Sequence, residues 1–134
     1  MDNFLGAITM VRKPIVKVPT EDQEQIKFCV WMEKNGIRFY AIPNGGKRNL
    51  LEAVKFKRMG VKSGVPDICL PFPSGRYFGA YLELKRIKGG KVSDNQLEWL
   101  AFLRSNGYYA EVANGFEEAR KFVLHYLSLM PIAA

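Results

Sequence analysis

The side chains best suited to chemistry lie between Gly64 and Lys85, where Val65-Pro66-Asp67 is followed by an apolar run ending in Glu83-Leu84-Lys85. The run Tyr77-Phe78-Gly79-Ala80-Tyr81-Leu82 is apolar enough for a central strand, so two charges at its end require a reason. Side chains alternate along a strand, which puts Glu83 and Lys85 on one face and Leu84 on the other. A neighbouring strand beginning at Asp67 sets a second carboxylate beside Glu83. Two carboxylates that close repel unless a cation or an ammonium lies between them. Types and spacing fit a metal site with Lys85 next to it; the plainer alternative is a solvated strand end with a salt bridge.

Hard oxygen donors suit Mg²⁺, with Mn²⁺ as a substitute, and a few carboxylates plus substrate phosphate are the usual provision. Asp67 and Glu83 supply two donors, and the backbone carbonyl of Leu84 offers a third. Glu21 is the best additional carboxylate, with Glu24 its competitor; the alternative task for both is to face the positive N-terminus of a helix. Lys85 would orient the attacking water or stabilise charge in the transition state, and while charged it is no base. Gln96 either bonds water or phosphate, or completes a helix cap with Ser93.

These residues need a frame. Thr20 with Gln23 forms a capping box for a first helix that runs to Asn35 and stops at Gly36. Its apolar side is Ile26, Cys29 and Val30 with Glu33, widened by Phe28 and Met32. Residues 37–42 read as a short strand ended by Pro43. Asn44-Gly45-Gly46-Lys47-Arg48-Asn49 is a glycine-rich basic loop, and Leu50 to Met59 is compatible with a helix. Strands follow near residues 67–71 and 77–86, joined through Pro73-Ser74-Gly75, and Pro66 restrains Val65 to an extended form. Ser93 caps a helix reaching about Asn106, and residues 108–113 form another strand. Asn114 with Glu117 suggests a capping box before a last helix burying Ala119, Phe122, Val123, Tyr126 and Leu127. The order predicts an α/β fold with a central mixed four-stranded sheet flanked by helices.

The length of 134 residues fits one domain, taken as residues 20–134, preceded by an arm at 1–19. Twenty Lys and Arg against 13 Asp and Glu give a net charge of +7, which favours a polyanionic partner. The two cysteines, Cys29 and Cys69, read as buried free thiols. His125 is the single histidine and reads as a packing or surface residue, so zinc held by soft ligands is excluded. No window approaches the roughly 18 apolar residues of a membrane span. A cytoplasmic protein is expected, with no membrane and no small organic cofactor.

An ordered set of motifs carries a resemblance from about Glu21 to Leu127. It comprises Glu21-x-x-x-Gln25, Ile42-Pro43-Asn44-Gly45-Gly46, residues 60–67, Glu83-Leu84-Lys85, residues 89–93 with Gln96 and Trp99, and Gly107 before a strand. The chain resembles the VRR-NUC domain, a branch of the PD-(D/E)xK nucleases, in its compact stand-alone form often found in bacteriophages. The resemblance implies a restriction-endonuclease-like fold and metal-dependent hydrolysis of DNA, leaving a 5′ phosphate and a 3′ hydroxyl. It implies Glu21 as the first-helix glutamate, Asp67 as the metal-bridging aspartate and Glu83 as the second ligand. Lys85 takes the place of the catalytic lysine, and Gln96 that of the polar residue of the following helix. It further implies a homodimer acting on branched DNA such as four-way junctions, inside a bacterial host cell if phage-encoded.

Lys47, Arg48, Lys55, Lys57, Arg58 and Lys62 are the expected phosphate clamp, with Lys88 and Lys91 a second patch. Dimer contacts are expected from residues 1–19, from Phe72, Tyr77 and Phe78, or from the last helix. Two competing classes stand beside the DNA nuclease: a non-catalytic nucleic-acid-binding module, and a nuclease acting on RNA or free DNA ends.

Overall fold

The computed structural model describes residues 17–43 and 49–130. Helix α1 (Glu21–Lys34) begins at the expected capping box: the Thr20 hydroxyl accepts from the Gln23 amide, and the Gln23 side chain accepts from the Thr20 amide. The buried stripe of α1 is Glu24, Phe28 and Met32. Ile26 and Val30, expected inside, are 64% and 49% exposed. Phe28, Met32 and the half-buried Trp31 fill the space over the sheet, and this rotates the smaller side chains outward. Cys29 is consequently half-buried rather than buried, while Cys69 is buried; both are free thiols.

Four strands follow: β1 (Tyr40–Ala41), β2 (Ile68–Leu70), β3 (Ala80–Lys85) and β4 (Tyr109–Asn114). Their spatial order is the chain order, with β1–β2 and β2–β3 antiparallel and β3–β4 parallel, so the sheet is mixed as expected. β1 is shorter than residues 37–42 because the Ile37 amide turns back to the Met32 carbonyl and closes α1. β3 starts after Tyr77, which pairs across its own tight turn with Ser74. Helix α2 (Leu50–Arg58) lies between β1 and β2, capped by Asn49, and has no buried residue.

Helix α3 (Asp94–Ser105) carries the chain from β3 to β4, and α4 (Phe116–Ser128) closes the described fold. The capping box expected at Asn114 is not formed, since β4 continues through Asn114. Gly115, at φ +87°, is the N-cap instead, a conformation that glycine tolerates. The orphan amides find carboxylates elsewhere: the Phe116 amide donates to Glu24 Oε2 at 2.6 Å and the Asn114 amide to Glu118 Oε1 at 3.2 Å.

One sheet face carries Ile68, Leu70, Ala80, Leu82 and Leu84, packed beneath α1 and α4 with Phe28, Met32, Ala119, Phe122, Val123 and Tyr126. Burial of this kind contributes about 1.5–3 kcal/mol per large apolar side chain. The opposite face is covered by α3 at its β4 side, where Leu100, Leu103 and Ala110 form a smaller core. A two-sided cover explains why β2 and β3 read as nearly unbroken apolar runs. It also makes Glu83 and Lys85, both buried, conspicuous. His125 is exposed, as its sequence context suggests.

Candidate active site

The β2–β3 register pairs Ile68 with Leu82, and one further step sets Asp67 opposite Glu83. Asp67 is locked at the strand end because its Oδ2 accepts from the Leu84 amide at 2.8 Å. The Leu84 side chain is buried on the other face, as alternation requires. The first turn of α1 brings Glu21 to the same strand ends. Carboxylate oxygens of Glu21, Asp67 and Glu83 lie within 4.8 Å of one another. Glu24 points away toward α4, so the structure separates the two glutamates that sequence left as competitors.

Glu83 is held from two sides. Lys85 Nζ lies 3.4 Å from Glu83 Oε1, and Gln96 Nε2 donates to that same oxygen at 2.8 Å. Gln96 also completes the capping box of α3, its Oε1 accepting from the Ser93 amide at 2.8 Å, while its amide nitrogen is directed at Glu83. The second oxygen, Glu83 Oε2, is buried and has no hydrogen-bond partner among the described residues. An unsatisfied buried carboxylate oxygen is costly in any fold. Burial first, and the negative charge of Asp67 second, push the Glu83 carboxyl up to about 8, although Lys85 pulls it down. Burial also raises Glu21, opposed by Lys85 and reinforced by Asp67.

Those features test whether a divalent cation fits. Three hard oxygen donors converge, one has no other partner, and their mutual repulsion is relieved by positive charge. The residues fit. The cluster opens into a cleft of about 1000 Å³ between α1, α2 and the start of α3, whose lining includes Gln25, Ile42, Phe56, Lys57, Lys62 and Ser93. Gln25 is one helical turn beyond Glu21, a spacing that could have marked it as a site residue. Gly64 enters the lining at φ +90°, where a Cβ would sit 2.7 Å from the Asn95 backbone.

Of the expected phosphate clamp, Lys57 and Lys62 line this cleft. Lys55 and Arg58 are exposed on α2, and Lys88 and Lys91 are exposed in the loop after β3, outside the cleft lining. Lys47 and Arg48 lie outside the described residues, as does most of the arm at 1–19.

The VRR-NUC domain model matches residues 11–117, most of the chain. The chain belongs to the VRR-NUC family. A solved structure titled "VRR_NUC domain protein" is similar at 29% identity and a TM-score of 0.76, over 88% of this chain and 96% of that one. No curated protein matches. The VRR-NUC fold and the acidic triad together form a nuclease-like site suited to a metal ion. No helix among the described residues is long and apolar enough to cross a membrane.

Proposed function

We propose that the chain is a Mg²⁺-dependent endonuclease that hydrolyses phosphodiester bonds of DNA and selects branched duplexes such as four-way junctions by shape. The partnerless Glu83 Oε2, set among Glu21 and Asp67 with Lys85 alongside, carries this reading. A non-catalytic binding module has no use for buried carboxylates at paired strand ends.

Glu21, Asp67, Glu83 and the Leu84 carbonyl would hold the ion, which supplies Lewis-acid stabilisation and a more acidic bound water. Gln96 and Lys85 both engage Glu83 Oε1, and this leaves Oε2 for the cation. Lys85 orients the attacking water and offsets charge growing on the phosphate oxygens. The water oxygen bonds to phosphorus as the bond to the 3′ oxygen breaks, giving a 5′ phosphate and a 3′ hydroxyl. Lys57 and Lys62 hold the backbone at the cleft wall, with Lys55, Arg58, Lys88 and Lys91 extending the grip; Lys47 and Arg48 complete the proposed clamp on sequence grounds alone. None of these forms a sequence-reading module, in keeping with selection by shape.

The active form is a homodimer, because one small domain offers little surface for a branched duplex and a two-fold pair supplies two cutters. Phe72 and Tyr77 are half-buried in ring contact with Tyr126 and Tyr109, whereas Phe78 is 68% exposed. Among the described residues, apolar surface is exposed on the outer side of α1, where Ile26, Cys29 and Val30 line a hollow of about 570 Å³, and on α2 at Leu50, Leu51 and Val54. That surface is the proposed interface. A cytoplasmic location accompanies this reading.

A supercoiled plasmid, a four-way junction and a single-stranded RNA, each with Mg²⁺ or EDTA, test the assignment. Cutting of the junction in Mg²⁺ alone is expected. Hydrolysis of RNA only would transfer the site to the competing class, and no hydrolysis of any nucleic acid would overturn the enzyme.

A further inference from the structure

The acidic cluster belongs to a row of side chains crossing one face of the sheet. The Ile42 amide donates to the Asp67 carbonyl, Asp67 stands opposite Glu83, and Glu83 pairs with Val112. Two residues along each strand, the next row on that face is Tyr40, Cys69, Tyr81 and Ala110. Adjacent rows on one face are about 7 Å apart.

This second row is only partly covered. Helix α3 packs on Ala110 and leaves Tyr81 and Tyr108 half-buried at its margin. Tyr40, on the edge strand, is 50% exposed. Cys69 pairs with Tyr40 on one side and Tyr81 on the other, and its side chain interacts with both tyrosines. Tyr81 meets Tyr108 edge-on at 5.3 Å, and the exposed Phe78 meets Tyr108 at 6.3 Å. An aromatic floor, polar at its tips and open to solvent at Tyr40, therefore adjoins the acidic row.

We propose that Tyr40, backed by Tyr81, stacks an unpaired nucleobase next to the scissile phosphate. The inference rests on the nuclease reading and names a feature of the branched substrate, a base opened at the branch point, that the site would favour. A phosphate over the acidic row and a base over the tyrosine row suit one nucleotide lying across both. Aromatic stacking accepts any base, because each has a π-face, in keeping with a surface that reads no sequence. Bases inside a continuous duplex are already stacked on their neighbours. The platform therefore favours DNA that is unpaired at the cut, as at a fork or branch point. A second copy of the chain is the competing occupant.

The test uses a forked oligonucleotide with 2-aminopurine at the unpaired position beside the branch, and a fully paired control, each bound in Ca²⁺. Wild type is expected to quench the probe. Tyr40→Ala should lose the quench and lower the ratio of fork to paired affinity about tenfold, while Tyr40→Phe, which keeps the ring, should retain both. Unchanged quench and ratio in Tyr40→Ala would overturn the subsite. So would equal loss of affinity for both DNAs, or conversion of a dimer to a monomer in sedimentation, which would assign Tyr40 to a contact between copies. Failure of wild type to cut any DNA would instead strike the nuclease reading, and the quench would still decide the stacking.

Discussion

The Glu24 carboxylate accepts the Phe116 amide at 2.6 Å and so binds the start of α4 to the first turns of α1, with Glu21 alone turned toward Asp67 and Glu83. Two carboxylates three residues apart thus have different work. Glu24 neutralises a helix N-terminus from within the fold, and Glu21 completes an acidic triad.

The separation gives a paired prediction. Glu21→Gln should lower Mg²⁺-dependent cleavage by about 10–100-fold with little change in melting temperature. Glu24→Gln should keep most activity but lose about 1 kcal/mol of stability, because the buried charge-assisted bond becomes a neutral one. Cleavage rates and melting curves of the two purified variants check this; equal or reversed rate effects would reject the division.

Stability without metal should depend on pH through Glu83. Its carboxyl is raised to about 8 in the fold, against an ordinary value of 4.5, so the folded state holds the proton more tightly than the unfolded chain. The contribution is full below 4.5 and is lost as pH rises through about 8. In EDTA the melting temperature should therefore fall from about pH 5 to about pH 9, and Mg²⁺ should restore more at the higher value. Glu83→Gln should flatten the profile. A metal-free melting temperature that rises over that range would contradict the arrangement.

Gln96 separates the helix cap from the site. Gln96→Glu keeps an oxygen for the Ser93 amide, but removes the donor to Glu83 and adds a negative charge beside it. Cleavage should fall at least about tenfold while the melting temperature changes by only a few degrees. Gln96→Ala should lower both, with about 1 kcal/mol of stability lost with the capping box. A Gln96→Glu variant with wild-type turnover would show that the bond to Glu83 does nothing for catalysis.

Local signals carried much of this in the sequence. The capping boxes at Thr20 and Ser93 link residues three positions apart, and alternation along β3 places Glu83 and Lys85 together. What was hidden depends on distant partners. Glu21 and Glu24 differ by only about 60° around a helix, and the choice between them is made by Phe116, far along the chain. On α1, Ile26 and Val30 form a second apolar stripe beside Phe28 and Met32, and only the packed sheet decides that the latter face inward. The Asn114 cap failed because β4 continues through Asn114 and a distant carboxylate, Glu24, takes the Phe116 amide; the nearby Glu118 takes the Asn114 amide.

The most direct measurement is calorimetric titration of Mn²⁺ into wild type and the Asp67→Ala, Glu83→Ala and Lys85→Ala variants. Wild type should bind, the two carboxylate variants should lose binding, and Lys85→Ala should keep it while losing cleavage, because the lysine acts on water and phosphate rather than on the ion. Undiminished Mn²⁺ binding by folded Asp67→Ala and Glu83→Ala would contradict the assignment of the acidic cluster as the metal site.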